Sequence, residues 1–398
     1  MRSTGFIAGL LRNIAVVPGL LIALHVASAA EPKKFDMSAT QWTTTGPVEF
    51  VQHMGASAIE LKPGNYAQHL PSGQAILNDF SFHNGTIEYD VDPTGSMGAG
   101  FAFRMRDKDT YELFYLRPRP KCSEAVDCIQ YAPQTHGVLL WDLFPQYQSP
   151  APLVQGQWNH VKLVVSGQRM NIFINGEKQP SLKIGRLEGD ALEGGLMLQG
   201  PGIFANLSVL PGETENLPEQ PEADAAASDP HYLSRWQVSP FSTLAADHVP
   251  AAAEIPAPSA SWTALPAERS GLVNVSRLYG LPLDRSDRAV VWLKTTLDST
   301  SAQQKHVSIG WSREIWIFVN GKQVFADKNL YQPPTARKTP AGRLSLQNGS
   351  FDLPLKKGSN EITVALADNF YGWGLELRLD DIKGLHLSPS NTMAVNRH

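Results

Sequence analysis

The chain has 398 residues, 42% of them apolar, with 29 prolines, a net charge of −4 and a pI near 6.3. That length suits about two domains of ordinary size, and the apolar fraction excludes a disordered chain. No block of basic residues occurs, which excludes nucleic acid as a partner, because phosphate binding needs a clustered cationic surface.

The first predicted element is a targeting segment over residues 1–30. Arg2 and Arg12 supply positive charge, residues 14–24 are an apolar core, and Ala27-Ser-Ala-Ala30 offers the small residues that a signal peptidase reads. This predicts export to the periplasm or beyond, with no stable membrane insertion after cleavage. An uncleaved anchor is the alternative, although Asn13, Pro18 and His25 interrupt the run and leave it short of a full span.

From residue 31 to about 210 the chain predicts strands with period two. After short strands at 48–51 and 58–61 come 80–91, 100–106, 110–117, 137–143 and 158–165, then 194–198 and 204–209. In 100–106 the alternation puts Phe101, Phe103 and Met105 on one face and Arg104 on the other. Cys122 and Cys128 are the two cysteines, and in an exported chain they are expected to form a disulfide. Two free thiols are the alternative, and His136 alone is thin support for a metal site.

Residues 170–180 (Met-Asn-Ile-Phe-Ile-Asn-Gly-Glu-Lys-Gln-Pro) are echoed at 315–325 (Ile-Trp-Ile-Phe-Val-Asn-Gly-Lys-Gln-Val-Phe). Asn-Gly tolerates two successive positive φ angles and closes a two-residue hairpin, so each copy predicts one. The contexts of the two copies differ, which argues for two unlike β domains rather than a duplication.

Residues 211–230 are acidic, Pro- and Ala-rich and free of aromatics, and are expected to link the domains. An acidic recruitment tail is the alternative. Strands resume beyond Tyr232, at 289–296, 307–310, 315–319, 349–353, 361–366 and 374–379. The second domain is expected over 231–388, with a tail at 389–398. The fold class is therefore all-β, as two β-sandwich (jelly-roll) domains.

The order of motifs in the first domain carries a resemblance. Gly85-Thr-Ile-Glu88, Gly100-Phe-Ala-Phe-Arg104, the Tyr-rich 110–117, Trp158-Asn-His-Val-Lys-Leu163, the Asn-Gly hairpin, and Phe204-Ala-Asn-Leu-Ser-Val209 follow one another. Together they resemble the concanavalin A-like lectin and glucanase jelly rolls, particularly the laminin-G-like and 3-keto-disaccharide-hydrolase-like members. In the second domain, the 318–325 hairpin, residues 355–364 and Tyr371-Gly-Trp-Gly374 resemble the galactose-binding-like sandwiches attached to many glycoside hydrolases.

These resemblances imply a concave sheet that binds or cuts sugars. Parity then places Arg104, Tyr111, Tyr115, Arg117, Gln130 and Trp141 on its open face, where aromatic faces stack on pyranose rings and Arg and Gln donate to hydroxyls. The alternative is that this face is covered by the lead-in segment or the other domain. In the second domain Asn329, Tyr331, Asp368, Tyr371 and Trp373 are candidate ligand residues on loops, with Trp311 and Trp316 as further aromatics. Glu88, Asp90 and Asp92 alternate on one strand but lack the third acid of the glucanase pattern. They are expected to form a solvated strand face, or to supply a ligand to a structural calcium. Asp107, Asp109 and Glu112 read as turn chemistry. No phosphate loop, Gly-x-Ser-x-Gly elbow or His-Glu-x-x-His motif occurs, and no organic cofactor is implied.

The leading expectation is an exported carbohydrate- or glycoconjugate-binding protein. A glycan-active hydrolase resembling the 3-keto-disaccharide hydrolases, and a structural or adhesive envelope protein, are the alternatives.

Overall fold

The computed structural model describes residue 1 and residues 31–65, 71–95, 98–280 and 287–386. Most of the expected signal segment, and the 389–398 tail, lie outside the described residues. Pro32–His398 form one compact unit, to which everything below belongs. No helix among the described residues is long and apolar enough to cross a membrane.

The alternating segments pair into antiparallel sheets, as the sequence predicts for an all-β chain with two sandwiches. The first sheet runs in the order Leu182–Ile184, Arg169–Ile174, Asn159–Ser166, Gly85–Asp92, Gly202–Pro211, Ala56–Leu61, Val48–His53. The second runs Val138–Leu139, Ile129–Thr135, Thr110–Leu116, Ala99–Asp107, Gly195–Gln199, Gln74–Leu77, Trp42–Thr45, with Gln148–Ser149 also paired to Ile129–Thr135. Between the two sheets lie Ile87, Tyr89, Val91, Phe101, Phe103, Phe114, Tyr131, Leu163 and Phe204. Each apolar side chain withdrawn from water there contributes about 1.5–3 kcal/mol.

In the second sandwich an eight-stranded sheet centred on Arg288–Ser299 and Gly358–Asp368 faces a four-stranded sheet built on Gln303–Trp311 and Gly374–Leu379. Trp311 and Trp373 are fully buried between them. Trp316 lies on the opposite face of the larger sheet, beside Trp292 and Phe318, under Leu244, Ile255 and Trp262 of the Pro- and Ala-rich segment.

The two Asn-Gly copies behave differently. Asn320 and Gly321 both have positive φ and join Val319 directly to Lys322, the expected two-residue hairpin. Asn175 and Gly176 also have positive φ, but pairing resumes only at Leu182. Pro180 lies in the return and has no N–H to offer a ladder, so the loop stays open there.

Residues 212–230 contain no strand or helix, and they are fastened to both sandwiches. Gln168 N donates to Glu219 O (2.9 Å) and Glu222 N to Gly185 O (2.8 Å). Ser270 N donates to Asp224 Oδ2 (3.1 Å), and Arg378 pairs with Asp229 (3.2 Å).

Candidate functional site

The register of the second sheet lines its outward face with a continuous polar row. Gln148 stands opposite Gln130, Gln130 opposite Tyr115, Tyr115 opposite Gly100, Gly100 opposite Gln199, Gln199 opposite Gln74, and Gln74 opposite Thr45. The neighbouring row is apolar: Ala132, Leu113, Ala102, Met197 and Ile76. Both follow from the period-two pleat, which sends alternate residues to one face.

One half of the polar row is hydrogen-bonded to itself. Tyr115 donates its hydroxyl to Gln130 Oε1 (2.5 Å), and Gln130 Nε2 donates to Gln148 Oε1 (2.6 Å). Arg117, two residues beyond Tyr115, donates to Gln130 Oε1 at 3.3 Å and pairs with Asp127 at 3.0 Å. Asp127 is held in the loop closed by the Cys122–Cys128 disulfide, which forms as expected.

In the other half, Thr45 donates its hydroxyl to Gln74 Oε1 (3.3 Å). Gly100 leaves the row without a side chain at that position, and a Cβ there would stand 3.5–3.6 Å from Tyr115 Cβ and Gln199 Cβ, and 3.0 Å from Leu113 Cδ1. Beside it, Gln199 Oε1 is buried and accepts no hydrogen bond among the described residues.

Loops of the second sandwich wall off the Arg117 end. Trp141 packs edge-on against Tyr331 (5.0 Å between ring centroids) and Tyr371 (5.7 Å), and Phe370 stacks on Tyr331 (5.9 Å). Arg343 lies over Trp141 at 5.0 Å and Arg337 over Tyr331 at 4.1 Å. The loop carrying these arginines is braced by two buried asparagines. Asn329 Nδ2 donates to Trp311 O (2.9 Å) and Asn348 Nδ2 to Arg343 O (2.9 Å).

A buried carboxylate pins this wall to the first sandwich. Asp142 is ion-paired with Arg313 and also accepts from Gly372 N at 2.9 Å, while Leu344 N donates to Asp142 O at 2.8 Å. Gly372 is required, since a Cβ there would fall 2.5 Å from Leu143 Cγ. Burial pushes the Asp142 carboxyl up to about 6 against the pull of Arg313, and pushes Asp368 up to about 8. Burial also raises the Tyr331 hydroxyl, but its bond to Arg117 and the charges of Arg117, Arg337 and Arg343 outweigh that and leave it below the ordinary tyrosine value.

The structure thus draws two predicted groups into one place. Tyr115, Arg117, Gln130 and Trp141 of the first sandwich meet Tyr331 and Tyr371 of the second. Tyr111 shares the outward face but lies in its apolar part, opposite Gln134.

Four expected residues lie elsewhere. Arg104 does not face outward. A bulge between Phe103 and Asp107 gives it a φ of 51° and turns it inward, fully buried, to donate to His83 O (2.8 Å), Asn84 Oδ1 (3.0 Å) and Gly167 O (2.7 Å). Trp373 is core, as is Trp311. Asn329 is a loop brace. Asp368 is enclosed behind Phe370, whose N–H it accepts at 2.6 Å.

The acidic sets also lie away from this face. Glu88 and Asp90 point outward from the other sheet, where both contact His160, and Asp92 is paired with His53. Asp107 and Asp109 share a turn, whereas Glu112 faces the core and accepts from Tyr131. Among the described residues, no three His, Cys, Asp or Glu side chains group as a metal site.

Gln74, Gln199 and Gln148 were not anticipated, although alternation with buried Ala75, Leu77, Leu196 and Leu198 carries the signal for the first two. Arg343 sits in an irregular loop, where no period exists to read.

No curated protein matches the chain. A carbohydrate binding module from Bacillus subtilis is 15% identical over 42% of this chain and 93% of its own, with a TM-score of 0.31. Domain 4 of an extracellular arabinanase from Geobacillus stearothermophilus, solved with arabinotriose, is 15% identical over 43% and 82%, with a TM-score of 0.29. A Parabacteroides distasonis protein provisionally described as a glycosyl hydrolase is 14% identical over 43% and 88%, with a TM-score of 0.29. Residues 35–209, which span most of the first sandwich and its polar row, match the family model of the 3-keto-alpha-glucoside-1,2-lyase-like domain.

Proposed function

We propose that this is an exported carbohydrate- or glycoconjugate-binding protein whose ligand lies across the polar row between Gln74 and Gln148. One observation carries the reading: the row has no side chain at Gly100, and beside it a buried acceptor, Gln199 Oε1, has no donor among the described residues. A buried polar atom without a partner costs about 1–3 kcal/mol, so its retention points to a ligand donor such as a sugar hydroxyl. The Gln74 side-chain N–H groups supply further donors, and Trp141 and Tyr331 offer aromatic surface at one end. The disulfide fits an oxidising compartment.

The test is a glycan array followed by calorimetry on the hits. Saturable binding that Gln199→Ala weakens by about 2- to 13-fold, the equivalent of one net hydrogen bond, supports the reading. Absence of binding to every glycan sinks it and leaves a protein-contact role.

A second reading is favoured by the family match: turnover of a 3-keto sugar. The outward positions of the second sheet described above carry no carboxylate, so the paired acids of an ordinary glycosidase are missing from the sheet itself. A lyase needs less, namely one base for the acidic proton beside a ketone, and Tyr331, Asp127 and Asp142 are titratable groups at the Arg117 end. Incubation with a 3-keto disaccharide and product analysis decides between binding alone and turnover.

A further inference from the structure

Among the described residues, the Arg117 end of the polar row gathers several guanidinium groups around one carboxylate. Arg117, Arg119, Arg337 and Arg343 converge there, and Asp127 is the carboxylate among them. It lies 3.0 Å from Arg117 and 3.2 Å from Arg119, so both claim it before Arg343, which is 3.9 Å away. Asp142, the next acid, is engaged by Arg313.

Arg343 is the informative residue. Its side chain is 4% exposed, and neither Nε nor Nη2 donates a hydrogen bond among the described residues. Those two atoms form one edge of the guanidinium, the edge that meets two oxygens of a carboxylate or sulfate side by side. Burying a charged group with donors unused is costly, because its lost hydration is not replaced. The side chain is also fixed in place, because Asn329 and Asn348 hold its loop and Trp141 lies under its plane. Nearness to Arg117 and burial both disfavour its charge, so a neighbouring anion would relieve it.

We infer that the sugar bound on this face carries an anionic group, a uronate carboxylate or a sulfate ester, received by the Nε–Nη2 edge of Arg343 with Arg117 beside it. This rests on the carbohydrate-binding reading and narrows its ligand to acidic glycans. The two arginines lie beyond Tyr115, and Gln199 lies two strands away from Tyr115, roughly 10 Å at the usual strand spacing. The anion would therefore mark one end of the ligand, and the row around Gln199 and Gln74 would receive the adjoining hydroxyls.

The experiment compares binding, by calorimetry on the full chain, of an oligogalacturonate, its methyl ester, a sulfated galactan oligomer and a neutral gluco-oligosaccharide. The uronate is expected to bind about 10- to 100-fold tighter than its methyl ester, the range for a charge-assisted bidentate contact. A sulfated oligomer binding tighter still supports the inference with the sulfate ester as the anion. In Arg343→Met the preference should vanish while Tm holds or rises, and Arg343→Lys should restore part of it. A drop in Tm in Arg343→Met with the preference intact assigns the residue to structure and overturns the proposal. Equal binding of the uronate and its methyl ester overturns it while leaving the carbohydrate reading standing. Failure of every oligosaccharide to bind overturns both.

Discussion

Gly100 is the position at which the polar row carries no side chain. A larger side chain there would fill the space between Tyr115 and Gln199, and the nearest atoms its Cβ meets are side-chain carbons, Leu113 Cδ1 among them at 3.0 Å. Gly100→Val is therefore expected to keep the fold and raise the Kd for the ligand at least tenfold, measured by calorimetry beside a thermal melt. Asp368 offers a second single-residue test. Its carboxyl is pushed from 3.8 up to about 8 by burial, so folding takes up a proton at this site. A raised acid of this kind is unpenalised below its unfolded value and loses stability as pH rises through the window between about 4 and 8. Asp368→Asn keeps an acceptor for Phe370 N and should flatten the fall in Tm between pH 5 and pH 8.5. An unchanged slope would show that Asp368 ionises freely in the folded protein.

At the scale of elements, the sequence was legible where strands are regular. Tyr115, Arg117 and Gln130 could be placed because Phe114, Leu116, Ile129 and Tyr131 alternate with them and are buried. The same rule failed one strand away, at Arg104. The bulge opposite Gly195 inserts a residue, and every side-chain direction after it is reversed. Alternation within a strand cannot announce a bulge that its partner imposes. The 330–348 loop was illegible for another reason. Its shape comes from Asn329 and Asn348, which close it through side-chain bonds that no periodicity records. The turn at 370–372 depends on one contact that can be tested. Removing the partner of a buried ion pair costs about 3–5 kcal/mol, so Arg313→Met should lower stability by that order in urea unfolding. It should also release Tyr371 from Trp141, read as a change in tryptophan fluorescence. Asp142→Leu combined with Arg313→Met should recover part of the stability, because no lone charge is then left buried.

On the scale of the whole molecule, the two sandwiches share a boundary that neither completes alone. The outward face of the second sheet presents Tyr111, Leu113, Trp141 and Met197, with Tyr331, Phe370 and Tyr371 packed against them from beyond the 212–230 segment. A chain ending at residue 230 should therefore expose an apolar aromatic patch and self-associate, a result that size-exclusion chromatography would reveal. If it stays monomeric, the first sandwich is stable with its face uncovered. The protonation balance is also collective. Burial raises Glu112 to about 7 and Asp142 to about 6, and the Asp90 hydrogen bond, outweighing burial, raises His160. All three favour the folded state at lower pH, whereas Asp90, held below the ordinary carboxylate value, acts in the opposite sense only below about pH 4. The full chain should accordingly melt at higher temperature near pH 5 than near pH 8.5.

The bonds that fasten the wall to the first sandwich also set a timetable. Arg117 meets Tyr331 across 214 positions, and Asp142 meets Gly372 across 230. During synthesis the first sandwich can close once residue 211 has emerged, but the bond from Gly372 forms some 160 residues later. At 5–20 residues per second that is roughly ten to thirty seconds. Through that interval Trp141 and Tyr115 stand in water, and the nascent chain offers a holding chaperone the same surface that later meets the second sandwich.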